Sequence, residues 1–132
     1  MLLTATMKFH FVPFVALGLL FTILSSACGK DSDIDTTDLL GRWDIREAYR
    51  DGKSTDTMVG MYFEFSEDGQ LTTNMTGADE SYRFELSGDE IRQREGTIEA
   101  DYKIESLLES ELVITTSLQG KHFRMVLDQA TN

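Results

Sequence analysis

Apolar residues recur at every second position in short runs between Leu39 and Leu127, and clusters of Gly, Asp, Ser and Asn separate the runs about every ten residues. In the run "SYRFEL", for example, Tyr82, Phe84 and Leu86 alternate with polar residues. A period of two places the apolar side chains on one face of an extended strand, whereas a helix repeats them every three or four residues. The pattern therefore predicts a domain of short β-strands joined by tight turns.

Eight strands are predicted in this region. They cover residues 42–50, 59–66, 70–75, 80–86, 90–94, 97–105, 111–117 and 121–127. Eight antiparallel strands that follow one another in the chain can close into an up-and-down barrel, because pairing the last strand with the first removes both free edges. We therefore expect an all-β, eight-stranded antiparallel up-and-down barrel. A two-sheet sandwich of the same strands is the alternative.

The alternation also predicts which residues of the first two strands face the barrel interior. In the first strand, Trp43 and Ile45 are expected to face inward together with Tyr49, and Arg50 is expected to face outward. In the second strand, Val59 begins the inward-facing series.

Residues 1–27 have the pattern of a secretory signal peptide. Met7-Lys8 supplies a positive start, Phe11–Leu24 is mostly apolar, and Ser25–Ala27 supplies small residues of the kind that precede a cleavage site. The apolar run is shorter than the roughly twenty residues that a membrane-spanning helix needs. The polypeptide starts at either Met1 or Met7.

The single cysteine, Cys28, directly follows these small residues. The segment resembles the lipobox of bacterial lipoproteins, which implies that Cys28 carries acyl chains such as palmitate and holds the protein at the outer membrane of the cell envelope. Plain secretory cleavage and an uncleaved anchor are the alternatives. Residues 28–38 form a polar, acidic tether, and residues 39–132 form the domain. Within the tether, Lys30–Asp33 resembles a surface-export signal, which leaves the periplasmic and the exposed face both open.

The chain is strongly acidic, with 12 basic and 23 acidic residues and a formal net charge of −11. Such a charge repels a phosphate backbone, whose binding depends on clustered Lys and Arg. Nucleic-acid binding is therefore not expected. Solubility at an extracytoplasmic surface is the simpler interpretation of the acidity, and a specific cationic partner is the alternative.

Three stretches resemble the lipocalin-like domain of small Gram-negative lipoproteins: "LLGRWDI", "YFEFSEDGQL" and "YKIESLLESELVI", which begin at Leu39, Tyr62 and Tyr102. In "LLGRWDI", Gly41 and Trp43 match the Gly-x-Trp motif that opens the first strand of lipocalins. The resemblance implies a monomeric barrel with one end closed by the tryptophan and a small hydrophobic ligand inside.

The same resemblance implies that a basic residue near the end of the barrel packs over Trp43. Arg124 is the first candidate for this role, and Lys121 is the second.

No residue pattern indicates an enzyme, a metal site or a cofactor. His122 is expected on the outer face of the last strand, without a nucleophile beside it. Glu99 and Asp101 lie on one face of the sixth predicted strand, opposite Arg92 and Arg94. Paired acids can bind a cation or cleave glycosides, but an exposed ladder of opposite charges is the simpler interpretation.

The predicted interior is rich in aromatic and sulfur-containing side chains, which suit an apolar ligand. The candidate ligand-binding residues are Trp43, Met61, Phe63, Phe65, Tyr82, Phe84, Gln93, Tyr102, Phe123 and Met125. An eight-stranded barrel is also narrow enough for side chains to fill it. The domain is thus expected to be either a ligand-binding barrel or a filled barrel that serves as a structural or protein-interaction module. A cavity, if present, is expected to open near Gln93 on the sparse fifth strand.

Overall fold

The computed structural model describes residues 33–131 of the chain. These residues form one short helix and nine strands. The elements are α1 (Thr36–Leu39), β1 (Gly41–Arg50), β2 (Lys53–Ser54), β3 (Tyr62–Phe65), β4 (Gln70–Thr73), β5 (Glu80–Ser87), β6 (Glu90–Arg94), β7 (Ala100–Leu107), β8 (Glu111–Leu118) and β9 (Lys121–Gln129).

The strands form one closed antiparallel sheet. From β3 to β9 each strand pairs with the next one in the chain, β3 pairs with β1, and β1 pairs with β9. The closing pair runs from Trp43 opposite Gln129 to Arg50 opposite Phe123. β2 is an additional two-residue strand beside the end of β1. The all-β, eight-stranded up-and-down barrel is therefore confirmed, and the two-sheet sandwich is wrong.

The predicted strand boundaries differ from the structure at the second strand. That strand begins at Tyr62 instead of Val59, and Val59 is 54% exposed. A turn precedes the strand, since the Met61 amide donates to the Met58 carbonyl oxygen and Gly60 has a φ of +89°, a conformation that glycine adopts without strain. The inward assignment of Val59 is therefore wrong.

The domain begins before Leu39. Asp35 caps α1 by accepting a hydrogen bond from the Thr37 amide, and the Asp38 side chain accepts one from the Asp35 amide, which completes a capping box. Ile34 packs against the core, and Leu39 is buried in it. The end of the predicted tether is thus folded. The predicted signal peptide and Cys28 lie outside the described residues.

A β-bulge in β1 changes which side chains face the interior. Ile45 pairs with Leu127, whereas Glu47 pairs with Val126, so Arg46 is an extra residue without a partner in this register. A bulge of this kind reverses the inward and outward positions that follow it. As a result, Tyr49 faces outward and Arg50 faces inward, opposite to both predictions.

Candidate ligand-binding site at the open end of the barrel

The two ends of the barrel differ. At one end, the indole N–H of Trp43 donates a hydrogen bond of 2.8 Å to the carbonyl oxygen of Leu39, and both residues are fully buried. Leu39 belongs to α1, so the helix and the tryptophan close this end together. At this end the side-chain amide of Gln129, the last residue of β9, donates a hydrogen bond to the Leu40 carbonyl oxygen.

At the opposite end lies a cavity of about 430 Å³ that opens to solvent. This volume is within the range of small-molecule sites. It is lined by Arg50, Thr57, Met58, Met61, Met75, Ile98, Leu118, Gln119, Lys121 and Phe123. Six of these side chains are apolar and three of the six are methionines, whose flexible thioethers adapt to ligands of irregular shape.

The lining residues come from strand ends and loops at this open end. Arg50 is the last residue of β1, Leu118 is the last residue of β8, and Lys121 is the first residue of β9. Met61 immediately precedes β3, and Met75 lies two residues after β4. An up-and-down barrel brings these ends together because alternate strands run in opposite directions.

The middle of the barrel is filled by side chains. The Phe63 and Tyr102 rings meet edge to face at 5.3 Å, and those of Phe65 and Phe84 do so at 5.0 Å. Eight of the ten predicted ligand-binding residues are buried in the core and do not line the open-end cavity. They are Trp43, Phe63, Phe65, Tyr82, Phe84, Gln93, Tyr102 and Met125. Only Met61 and Phe123 of that set reach the cavity.

Gln93 does not mark an opening in the barrel wall. It is 1% exposed, its Nε2 donates to the Ile98 carbonyl oxygen at 2.6 Å, and its Oε1 lies 3.2 Å from the donating Tyr102 hydroxyl. The same hydroxyl is 3.4 Å from Sδ of Met75. Burial raises the pKa of Tyr102 well above its ordinary value, so this hydroxyl keeps its proton. The polar pair sits beneath Met75, and the opening lies at the end of the barrel instead.

One buried hydroxyl has no hydrogen-bond partner among the described residues. It is Oγ1 of Thr73, which is 1% exposed. Thr73 lies opposite Phe63 and two residues before Met75, so it faces the interior just below the cavity. An unsatisfied buried hydroxyl destabilises a fold.

A hydroxyl cluster holds one side of the cavity rim. The carboxylate of Glu80 accepts hydrogen bonds from Thr97 Oγ1 at 2.5 Å, Tyr82 Oη at 2.8 Å and Thr76 Oγ1 at 2.9 Å. These hydrogen bonds lower the pKa of Glu80, and the bond from Thr97 has the largest effect. Gly96 lies against the Tyr82 ring, with room for no Cβ. The loop that carries Ile98 into the lining is fixed by these contacts.

The basic residue predicted to cover Trp43 does not do so. Arg124 faces outward opposite Tyr49, and its Nε lies 2.8 Å from Oε2 of Glu105. Lys121 is the first residue of β9 and lies at the open end. Trp43 lies opposite Gln129, at the other end of that strand. Both candidates for covering Trp43 are therefore wrong, because β9 reaches Trp43 only at Gln129, five residues beyond Arg124.

Of the two acidic residues predicted to share a strand face, Asp101 lies on β7 and pairs with Arg94 on the outer surface, whereas Glu99 precedes β7 and has no ion pair among the described residues. Nη2 of Arg94 lies 2.7 Å from Oδ1 of Asp101, and Arg92 pairs with Glu90 on its own strand. His122 is exposed. Among residues 33–131, no group of three or more His, Cys, Asp or Glu side chains is placed to hold a metal ion. Within the same range, no helix is both long and apolar enough to cross a membrane.

Comparisons with protein-family models, with curated proteins and with solved structures gave no match for this chain. The candidate site therefore stands on its geometry. Sequence reasoning missed Met58, Met75, Ile98 and Leu118, which lie at strand ends or in loops where the period of two no longer assigns a face. The sequence does contain an indication of them, because apolar residues recur beside the turns of every second connection between strands. In an up-and-down barrel these connections all lie at the same end.

Proposed function

We propose that the protein is a lipid-anchored lipocalin-like binding protein of the cell envelope, and that it holds a small apolar ligand in the open end of its barrel. The observation that carries the binding proposal is the cavity of about 430 Å³ with its six apolar lining side chains. The closed end supports it, since Trp43 and Leu39 block the barrel interior there. The cleft of about 600 Å³ at that end lies between α1 and the β7–β8 turn. The anchor rests on the sequence around Cys28 alone.

The filled middle of the barrel favours a second candidate. The packed aromatic rings of Phe63, Tyr102, Phe65 and Phe84 leave only the end of the barrel for a ligand. A filled barrel that serves as a structural or protein-interaction module fits that packing. The two candidates differ in whether a small molecule occupies the open-end cavity.

Binding of the neutral fluorescent probe N-phenylnaphthylamine tests the binding proposal. Met61→Trp puts a large ring into the cavity, and we expect it to weaken probe binding at least tenfold. Glu85→Trp is the matched control, because Glu85 is exposed on the outer face of β5 and lines neither the open-end cavity nor the cleft at the closed end. Equal probe affinity in both variants, or no probe binding by the unaltered domain, would favour the filled module.

The anchor is tested separately by detergent phase partition of the chain from its own cells. The unaltered chain is expected in the detergent phase, because acyl chains stabilise membrane residence by about 0.8 kcal/mol per buried methylene. Cys28→Ser is expected to move the chain to the aqueous phase. Partition of both proteins into the same phase would contradict acylation of Cys28.

A further inference from the structure

The cavity lining is positively charged, although the chain as a whole is acidic. The protein has 23 acidic residues against 12 basic ones, yet the lining contains two cationic side chains, Arg50 and Lys121, and no carboxylate. Both cations lie at strand ends on the rim, above the apolar part of the pocket. The lining therefore presents positive charge over an apolar interior, whereas the Glu80 carboxylate beside the rim is bonded to three hydroxyls and does not line the cavity.

The bulge in β1 is what brings Arg50 to this position. Because Arg46 is the extra residue, Arg50 pairs with Phe123 and shares its inward face. Lys121 lies two residues before Phe123 on β9, so its side chain is on the same, inward face of the strand. Diagonal neighbours on one face of an antiparallel pair are about 7–8 Å apart, within reach of long side chains. The two cations can therefore approach one group together.

Arg50 has no competing partner among the described residues. Five other arginines have a carboxylate oxygen within 4.0 Å, whereas Arg50 has none there. The paired ones are Arg42, Arg46, Arg92, Arg94 and Arg124. Nζ of Lys121 lies 3.6 Å from Oδ2 of Asp51, whose other oxygen accepts from the His122 amide. Of the two cations that line the cavity, Arg50 is consequently the one without a described carboxylate within 4.0 Å, and Lys121 is shared with Asp51.

We infer that the ligand is an anionic amphiphile, with its apolar tail in the cavity and its carboxylate or similar head group held by Arg50 and assisted by Lys121. This inference rests on the proposed binding function and adds the head-group charge. An arginine suits the role because its planar guanidinium can donate two hydrogen bonds to one carboxylate. The net negative charge of the chain opposes anion binding only over distances that salt screens, so the local cations dominate at the mouth.

Three probes that share one tail and differ in the head group test the inference: decanoate, decanol and decylamine. Each is used below its micelle-forming concentration to displace N-phenylnaphthylamine from the domain. We expect decanoate to bind at least tenfold more tightly than decanol, and decylamine to bind more weakly than decanol. We also expect added NaCl to reduce the decanoate advantage, since charges at the rim are exposed to solvent.

Arg50→Gln is expected to reduce the ratio of decanoate to decanol affinity at least fivefold. Arg83→Gln is the matched control: Arg83 also lacks a carboxylate partner among the described residues but faces outward on β5, so its loss should leave the ratio unchanged. Circular dichroism of both variants checks that they fold.

The outcomes separate this inference from the binding proposal. If decanoate and decanol bind equally well, the cavity binds apolar tails and the anionic head group is overturned. If none of the three probes displaces N-phenylnaphthylamine, the binding proposal itself fails. Arg50-dependent binding to vesicles of anionic phospholipid, without displacement by decanoate, would assign the cations to a membrane surface and also overturn the inference.

Discussion

The indole N–H of Trp43 lies 2.8 Å from the carbonyl oxygen of Leu39, and neither residue is exposed to solvent. The bond joins the first strand of the barrel to the helix that precedes it. It also satisfies a backbone carbonyl at the end of α1, where such groups lack partners within the helix. Closure of the barrel end therefore depends on a polar contact as well as on packing.

Trp43→Phe should destabilise the domain by roughly 2–4 kcal/mol, because it leaves the Leu39 carbonyl buried without its donor and opens a small void. Urea unfolding followed by circular dichroism measures the change, since Trp43 is the only tryptophan. Val59→Ala, at an exposed site, should change the stability by less than about 0.5 kcal/mol. A loss of the same size in both variants would mean that the contact has no special role.

Gly96→Ala should destabilise the domain by about 1–3 kcal/mol. A Cβ at Gly96 would lie 2.1 Å from Cε1 of the Tyr82 ring, so the ring or the loop must move. The backbone of Gly96 is not in the left-handed region, which leaves the steric clash as the cause. In a Tyr82→Leu background the same substitution should cost much less, and a double-mutant cycle measures the difference. An additive result would argue against the clash.

Tyr102→Phe should cost about 1–3 kcal/mol, because it leaves the buried Oε1 of Gln93 without its hydrogen-bond donor. Thermal unfolding of the variant gives the loss. Tyr49→Phe is the control, since the Tyr49 hydroxyl bonds to Glu47 at the exposed surface and should cost little. If the two substitutions have equal effects, the buried pair does not stabilise the interior.

Glu80 should contribute to the acid sensitivity of the domain. Hydrogen bonds from Thr97, Tyr82 and Thr76 lower its pKa below the ordinary value of 4.5. The carboxylate is therefore stabilising above that value, and its contribution is lost as the pH falls through the lower pKa of the folded state. Urea midpoints measured from pH 7 to about pH 3 should fall less steeply for Glu80→Gln than for the unaltered protein.

The control for Glu80 is Glu99→Gln, because Glu99 is exposed and has no side-chain hydrogen bond or ion pair within residues 33–131. This substitution should leave the slope of the urea midpoint against pH nearly unchanged. If Glu80→Gln retains the full slope, other carboxylates account for the acid sensitivity.

The sequence predicts the barrel well because alternation and turn residues act locally. The predicted bounds of β6, residues 90–94, coincide with those in the structure, and β1 differs from its prediction by one residue. What local patterns do not show is an extra residue in a paired strand. Arg46 is such a residue, and because it shifts the register, Tyr49 and Arg50 exchange faces.

The candidate site was less predictable than the fold. Strand alternation identifies residues that face inward, but it does not distinguish the packed middle of the barrel from its open end. Phe63 and Phe123 both face the barrel interior, yet Phe63 is packed among aromatic rings and Phe123 lines the cavity. That distinction depends on the stagger between strands, which is a property of the closed sheet.

Both ends of the domain leave the barrel on the same side. Asp33 precedes the helix at the closed end, and the Ala130 amide donates to the Arg42 carbonyl oxygen beside it. Nine steps along β1 separate Gly41 on this side from Arg50 at the mouth, a distance of about 30 Å along the strand. A chain fastened through the residues that precede Asp33 would therefore carry its entrance on the side away from the attachment.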